Sequence, residues 1–133
     1  MATDDPPDVV TLRCNDSVDR LLRRAVARSE AHGLDVFEVI DHSGDPADLG
    51  LAIPDAKLVL FANPLGAAEL ILAKPRTAID LPLKLLIYED NAGEVFVSYN
   101  SPACLANRNR LTDSEADILQ IVETIALQTR SNP

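Results

Sequence analysis

The amino-acid sequence predicts one α+β domain with the element order β-α-β-β-β-β-α, in which two long helices pack on one face of an antiparallel sheet. Two segments, one near each end of the chain, have the apolar periodicity of amphipathic helices. Between them, strand-like apolar runs are separated by Asn-Pro, Leu-Pro and Asn-Ala-Gly turns. The length of 133 residues suits a single domain.

The first two elements follow from local patterns. Residues 9–14 alternate weakly between apolar and polar types, which predicts the first strand. One of the polar residues 15–17 can cap the helix that follows. His32 and Gly33 predict its end, because a positive residue and a glycine favour the last turn and the left-handed cap. The apolar face of this helix consists of Val18, Leu21, Leu22, Ala25, Val26 and Ser29.

The middle of the chain contains two further strands and two short helices. Residues 36–42 and 57–62 are predicted as the second and third strands. The third has an unbroken apolar run, which predicts that both of its faces are covered. Asp45-Pro46 and Asn63-Pro64 each combine a capping residue with proline, and predict short helices ending at Gly50 and Ala73.

A hairpin and a helix complete the predicted fold. Residues 83–89 and 94–100 are predicted to pair around the turn at 90–93. If Glu89 pairs with Glu94, Lys84 lies opposite Tyr99 on the same face; a bulge at Gly93 would shift this register by one residue. Residues 112–115 form a capping box, which begins the last helix. Its apolar face consists of Ile118, Leu119, Val122, Ile125 and Ala126.

Composition limits the environment and the partners. The net charge of −9 repels phosphate backbones, so we expect no nucleic-acid partner. No apolar run approaches the roughly 20 residues that span a bilayer, so we expect no membrane association. Residues 1–8 are acidic and proline-rich, which predicts a disordered tail before a domain at 9–130 and, without a signal peptide, a cytoplasmic location. The two cysteines are predicted to be buried free thiols.

Four segments, taken in order, resemble one prokaryotic family, catalogued as domain of unknown function 302. They are residues 41–43, 60–64, 81–90 and 97–102. The resemblance extends over roughly residues 9–130 and implies a curved antiparallel sheet of the TATA-box-binding-protein-like type and a homodimer. It implies no biochemical role. This chain has Leu65-Gly66 where Lys-Ala is common in the family, which removes a positive charge beside Asn63.

Five polar residues near strand ends are the candidate ligand-binding residues. They are His42, Asn63, Lys84, Tyr99 and Asn100. We expect them to meet at one apolar cleft between the sheet and the long helices, where they would bind a small organic ligand. A lysine in a leucine-rich strand can bind a carboxylate or phosphate.

Each candidate has a structural alternative. Asn63 can be a simple helix cap, and Lys84 can pair with Glu69 or Asp80 or extend along the sheet edge. His42 can be a partly exposed residue with a backbone partner, since its neighbour Asp41 points to the opposite face. Tyr99 can pack in the core.

The functional prediction is therefore a homodimeric ligand-binding protein. No catalytic residue, metal site or cofactor is predicted, because no metal-ligand spacing and no phosphate-binding glycine loop occur. Two alternatives stay open: an assembly or interaction module without a pocket, and a small enzyme that uses His42 or Lys84 in acid–base chemistry. Whether any reaction is catalysed is left undecided, with binding favoured.

Overall fold

A computed structural model describes residues 6–44 and 48–131. Five strands form one antiparallel sheet in the order β1-β5-β4-β3-β2. The predicted α+β fold is confirmed, and β1 and β2 form the two edges of the sheet. The strands are β1 (Val9–Cys14), β2 (Asp35–Asp41), β3 (Ala56–Ala62), β4 (Leu83–Glu89) and β5 (Val95–Asn100).

The helices agree with the prediction at the beginning of the chain and differ near its end. The predicted last helix is divided at Gln120, whose backbone N–H donates to the carbonyl of Asp117, three residues back. The 3-10 helix at Pro75–Asp80 and the helix at Pro102–Arg108 were not expected. The helices are α1 (Val18–Ala31), α2 (Pro64–Ala73), the 3-10 helix (Pro75–Asp80), α3 (Pro102–Arg108), α4 (Asp113–Leu119) and α5 (Ile121–Arg130).

Side-chain caps account for where most helices begin. Ser17 accepts a hydrogen bond from the Arg20 N–H at the start of α1, and Thr112 forms the predicted capping box with Glu115. Asn63 caps α2 by accepting from two backbone N–H groups. Ser101-Pro102 uses the same combination as Asn63-Pro64 and begins α3, so a sequence signal for α3 existed.

Two predicted segments lie partly or largely outside the described residues. The short helix predicted between Asp45 and Gly50 includes residues 45–47, and the predicted tail includes residues 1–5, none of which the structure describes. Of the tail, Pro6 and Asp8 have contacts with the domain, because their carbonyls accept from the N–H groups of Val9 and Ser101.

The hydrophobic core lies between one face of the sheet and the helices. Helices α1 and α5 pack against each other and against this face, as predicted for the two long helices. The side chains in this layer are fully or almost fully buried. They include Leu21, Ala25, Val59, Phe61, Leu85, Ile87, Val97, Leu119, Val122 and Ile125.

The opposite face of the sheet is referred to here as the open face, because no helix of the described residues packs on it. Leu58 and Leu60 of β3 belong to this face and are half-buried. The expectation that both faces of β3 are covered was therefore wrong. Strand pairing assigns these residues to the open face: Val9, Thr11, Arg13, Ala56, Leu58, Leu60, Lys84, Leu86, Tyr88, Phe96, Ser98 and Asn100.

Of the two hairpin registers considered, the structure has the one that is shifted by one residue from a Glu89–Glu94 pairing. Glu89 pairs with Val95, and Leu86 pairs with Ser98. The turn is closed by the Asp90 N–H, which donates to the Glu94 carbonyl at 2.8 Å, and Gly93 has a φ of 83°. A three-residue loop with a left-handed glycine is a common hairpin connection, and it sets this register. Lys84 consequently shares a face with Ser98 instead of Tyr99.

Candidate functional site

The open face contains a cleft of about 220 Å³, here called the open-face cleft. Its walls come from the strands β1, β3, β4 and β5, so it crosses most of the sheet. The lining residues are Val9, Leu58, Lys84, Leu86, Ser98, Tyr99 and Asn100. An apolar floor with a few polar groups is the usual composition of a small-molecule site.

Strand pairing brings these residues together from distant parts of the sequence. Leu86 on β4 pairs with Leu58 on one side and with Ser98 on the other. Asn100 pairs with Val9 across the β5–β1 ladder. Since side chains alternate along a strand, residues paired in this way project from the same face. The cleft is thus a direct product of the observed register.

Lys84 is the cation of the open-face cleft. Its side chain is half-buried, and its Nζ donates to the carbonyl of Pro82 at 3.4 Å. The ion pairs found among the described residues do not include Lys84. Asp80, one alternative partner considered for Lys84, instead contacts Arg108 at 3.3 Å and accepts from Asn109 at 2.7 Å.

Hydroxyl groups form a short polar line beside the cleft. The Oγ atoms of Ser98 and Thr11 lie 2.7 Å apart, and Ser98 also contacts the Tyr88 hydroxyl at 3.5 Å. The Tyr88 ring stacks on Phe96, with 5.6 Å between the ring centroids. Sequence reasoning did not select Ser98 as a site residue, although its position two residues before Asn100 indicated the same face once the register was known.

Tyr99 contributes little more than backbone to this cleft. Its side chain is buried in the core, on the side of the sheet that the helices cover. Burial raises the pKa of its hydroxyl above the usual value, and the nearby carboxylate of Glu123 on α5 acts in the same direction. The alternative considered for Tyr99, a core residue, matches this position.

Asn63 and His42 lie away from the open-face cleft. The Asn63 side chain accepts from the backbone N–H groups of Leu65 and Gly66, at the start of α2. His42 is exposed in the turn after β2, and its backbone N–H donates to the Ala56 carbonyl at 2.9 Å. These two sites lie at opposite ends of β3, about 20 Å apart for a strand of this length.

The five candidates therefore do not converge as predicted. Lys84 and Asn100 line one cleft, together with the backbone of Tyr99, whereas His42 and Asn63 are elsewhere. The cleft also lies on the face opposite to the expected one. The expectation of a pocket between the sheet and the long helices was wrong at the position of these residues, because packed apolar side chains fill that space.

A polar cluster lies beside His42 but does not involve its ring. The Asp41 carboxylate accepts from the hydroxyl and backbone N–H of Ser43 and pairs with Lys57. These contacts lower the pKa of Asp41 to about 2, chiefly through the Ser43 hydroxyl. Asp55 contacts the same lysine. The Asp41 carboxylate is thus engaged by Ser43 and Lys57.

Metal ligation finds no support in the described parts of the chain. Within residues 6–44 and 48–131, no group of three or more His, Cys, Asp or Glu side chains is placed to hold a metal ion. The two cysteines are free; Cys14 is buried, and burial raises the pKa of its thiol. Cys104 is partly buried, so the prediction of burial is confirmed fully only for Cys14.

Comparison with known proteins identifies the family. The family model described as domain of unknown function DUF302 matches residues 10–127. The chain belongs to this family. The crystal structure of an uncharacterized conserved DUF302 protein from Bacillus stearothermophilus has the same fold, with a TM-score of 0.78 and 17% sequence identity; the match covers 94% of this chain and 97% of that one.

Longer relatives also match. A protein named fluoride-specific ion channel FluC 1 of Brucella suis biovar 1 is 34% identical over 103 residues, which are 77% of this chain and 41% of that protein. A FluC 1 protein of Brucella abortus biovar 1 is equally similar, with 38% of its length covered. The DUF302 chain thus spans about two-fifths of these relatives. Among its described helices, none has the length and apolar character needed to cross a bilayer.

Proposed function

We propose that this DUF302 protein is a homodimer that binds a small organic anion in the open-face cleft without transforming it. The observation that carries the proposal is the position of Lys84. This half-buried lysine has no ion-pair partner among the described residues and lies in a cleft whose other walls are mainly apolar. A ligand with a carboxylate and a short apolar body complements both properties.

The volume of the open-face cleft limits the size of the ligand that it can hold. Its volume of about 220 Å³ is below the range of roughly 300–1,000 Å³ that is common for drug-sized ligands. Leu58, Leu86 and Val9 supply apolar contact, while Asn100 supplies an amide at the exposed end. A short aliphatic or aromatic carboxylate fits these limits.

The ligand proposal is tested with charged and neutral molecules of the same shape. Hexanoate and benzoate should bind and raise the melting temperature, whereas hexanol and benzyl alcohol should bind at least about tenfold more weakly. Lys84→Met should remove the preference for the charged molecules. Lys74→Met is the matched control, since Lys74 pairs with Glu115 beside α2. Equal affinity of Lys84→Met and the parent protein for benzoate would refute the proposal.

The proposed dimer contact is an exposed apolar surface on and after α2, here called the α2 patch. It consists of Leu65, Ile71, Leu72 and Ile79, of which Leu72 is 84% exposed. Between Leu65 and Ala73 the only charged residue is Glu69. Two copies of a chain with a net charge of −9 repel each other least where charge is sparse. A two-fold contact places this same patch on both subunits.

Sedimentation at micromolar concentration tests the dimer. The parent protein should sediment as a dimer and Leu72→Glu as a monomer of 14.4 kDa. Leu127→Glu is the matched control, because Leu127 is a partly exposed leucine on α5 outside the α2 patch. A 14.4 kDa species for the parent protein at every concentration would contradict the proposal.

An interaction module without a ligand is the second candidate function. The α2 patch favours it, and so does the match to about two-fifths of longer relatives, in which a domain of this kind is joined to other sequence. Loss of association in Leu72→Glu, together with no response to any carboxylate, would select this function. The acid–base enzyme that uses His42 or Lys84 is not favoured by the contacts of either residue: His42 is exposed, and the Lys84 ammonium group donates to a backbone carbonyl. The cytoplasmic location stays a prediction from the sequence.

A further inference from the structure

A second pocket, here called the arginine pocket, lies where β1 ends, α1 begins and α5 ends. It has a volume of about 450 Å³ and is lined by Arg13, Asn15, Asp16, Arg24 and Arg130. We propose that the arginine pocket binds the phosphate group of a small anion. The site is separate from the open-face cleft, with which it shares no lining residue.

Arg24 is held in a fixed position at the back of the pocket. One guanidinium nitrogen donates to the Thr129 carbonyl at 2.6 Å, and another donates to the Asp16 carboxylate at 2.9 Å. Its side chain is only 14% exposed. A guanidinium that is already ordered loses little further conformational freedom when an anion binds in front of it.

The acidic groups near the pocket are already engaged by protein donors. One oxygen of Asp16 accepts from the Ser17 N–H and faces Arg20 at 3.8 Å, while the other is bound by Arg24. These contacts lower the pKa of Asp16. Glu94 is paired with Arg13 at 2.9 Å. The three guanidinium groups that line the pocket thus meet two carboxylates, Asp16 and Glu94, which leaves local positive charge in a chain whose net charge is −9.

Arg130 is the remaining arginine of the pocket lining. No ion pair of the described residues includes it, although it lines the pocket. Its charge opposes the effect of burial on the pKa of both the Cys14 thiol and the Tyr99 hydroxyl. The pocket lining places Arg130 at the end of β1, together with Arg13 and Arg24.

The residues that line the arginine pocket indicate which class of ligand it can bind. All five lining residues are polar or charged, and most of the surface that they present to the pocket is polar. Guanidinium groups match the oxygen geometry of phosphate and bind it through paired hydrogen bonds. The volume is in the range of small-molecule sites and accommodates more than one phosphate group. Compact, multiply charged phosphates are the favoured class.

The test is calorimetric titration at constant ionic strength with three probes: inorganic phosphate, pyrophosphate and glycerol 3-phosphate. At least one probe should bind saturably, and Arg130→Gln should weaken that binding by roughly tenfold or more. The matched control is Arg23→Gln, because Arg23 is an exposed residue of α1 that pairs with Asp19 outside the pocket. It removes the same charge and should change the affinity by less than about twofold.

The titrations answer two questions: whether the arginine pocket binds phosphate at all, and which kind of phosphate compound it prefers. Preference for glycerol 3-phosphate indicates a phosphate ester, and preference for the other two probes indicates free phosphate or pyrophosphate. The proposal is overturned if none of the three probes binds saturably. It is also overturned if Arg130→Gln and Arg23→Gln weaken binding equally, since the effect would then be one of net charge alone. Benzoate binding to the open-face cleft should be unaffected by Arg130→Gln.

Discussion

The two faces of the sheet differ although they are made from the same five strands. Leu85 is fully buried beneath the helices, whereas its neighbour Leu86 is half-buried on the open face. On the helix side, the strand residues are mostly apolar and in contact with the core. On the open face, apolar residues alternate with Lys84, Ser98 and Asn100. The helix side therefore holds most of the buried core, and the open face holds the cleft in which we propose ligand binding.

The difference follows from how the helices are distributed. Helices α1 and α5 have one buried face each, and both are used on the same side of the sheet. The open face keeps its residual exposure because the remaining helices of the described chain do not pack on it. In this DUF302 protein, polar groups on a strand are thus tolerated where a helix does not cover them.

The largest expected effect is the difference in stability loss between Leu85→Ala and Leu86→Ala. Leu85→Ala should lower the free energy of unfolding by about 2–5 kcal/mol, because it creates a cavity in a closely packed layer. Leu86→Ala should cost about 1 kcal/mol or less, because its site can be filled by solvent and much of its surface is already exposed. Urea unfolding of the two variants measures both values. Equal losses would show that the two faces contribute alike.

A second effect concerns the close packing of α2 against α4 at Gly66. A Cβ atom added at Gly66 in α2 would come within 2.7 Å of the Ile118 side chain in α4. Gly66→Ala should therefore destabilise the fold by about 1–3 kcal/mol, in spite of the better helix propensity of alanine. In an Ile118→Ala background the same change should cost less, and a double-mutant cycle measures the coupling. Stabilisation by Gly66→Ala in the parent protein would exclude this close approach.

The third effect probes the hydroxyl pair of the open face. Replacing Thr11 by Val and Ser98 by Ala together removes both members of a hydrogen bond in a region with solvent nearby. The free energy of unfolding should change by about 1 kcal/mol or less. Ser98→Ala alone should cost more than the double variant, because the Thr11 hydroxyl then loses its partner. Chemical denaturation distinguishes these results, and a larger cost for the double variant would contradict them.

The smallest effect lies at the exposed end of β2. The pKa of Asp41 is lowered from 3.8 to about 2, so the contacts of its carboxylate stabilise the fold above pH 3.8 and are lost as the pH falls towards 2. Ser43→Ala should raise the pKa of Asp41 towards its ordinary value, because the hydroxyl is the largest cause of the shift. Carboxyl-carbon NMR titration measures the change. Ser114→Ala, an exposed serine of α4, should leave this pKa unchanged.

Local signals were sufficient for most elements. Ser17, Asn63 and the Thr112–Glu115 capping box mark helix starts that the structure confirms. These predictions succeed because a cap satisfies backbone N–H groups two or three residues away and needs no distant partner. The unexpected α3 had the same kind of signal in Ser101-Pro102.

Site prediction depended on contacts that are distant in sequence. A change of one residue in the hairpin register moved Tyr99 to the core and placed Ser98 beside Lys84. The arginine pocket joins residues 13 to 24 with Arg130, and no local pattern relates these positions. His42 and Asn63 were grouped with Lys84 because all three are polar residues near strand ends. His42 and Asn63, however, lie at opposite ends of β3.

The amino-acid sequence by itself determined the element types, the helix caps and the antiparallel order of the last three strands, because propensity, capping and periodicity act over a few neighbouring residues. Only the tertiary structure decided which face of the sheet each polar residue occupies. The physical reason is the two-residue period of a strand: a shift of one position in the pairing exchanges the faces, and the geometry of the turn selects the register.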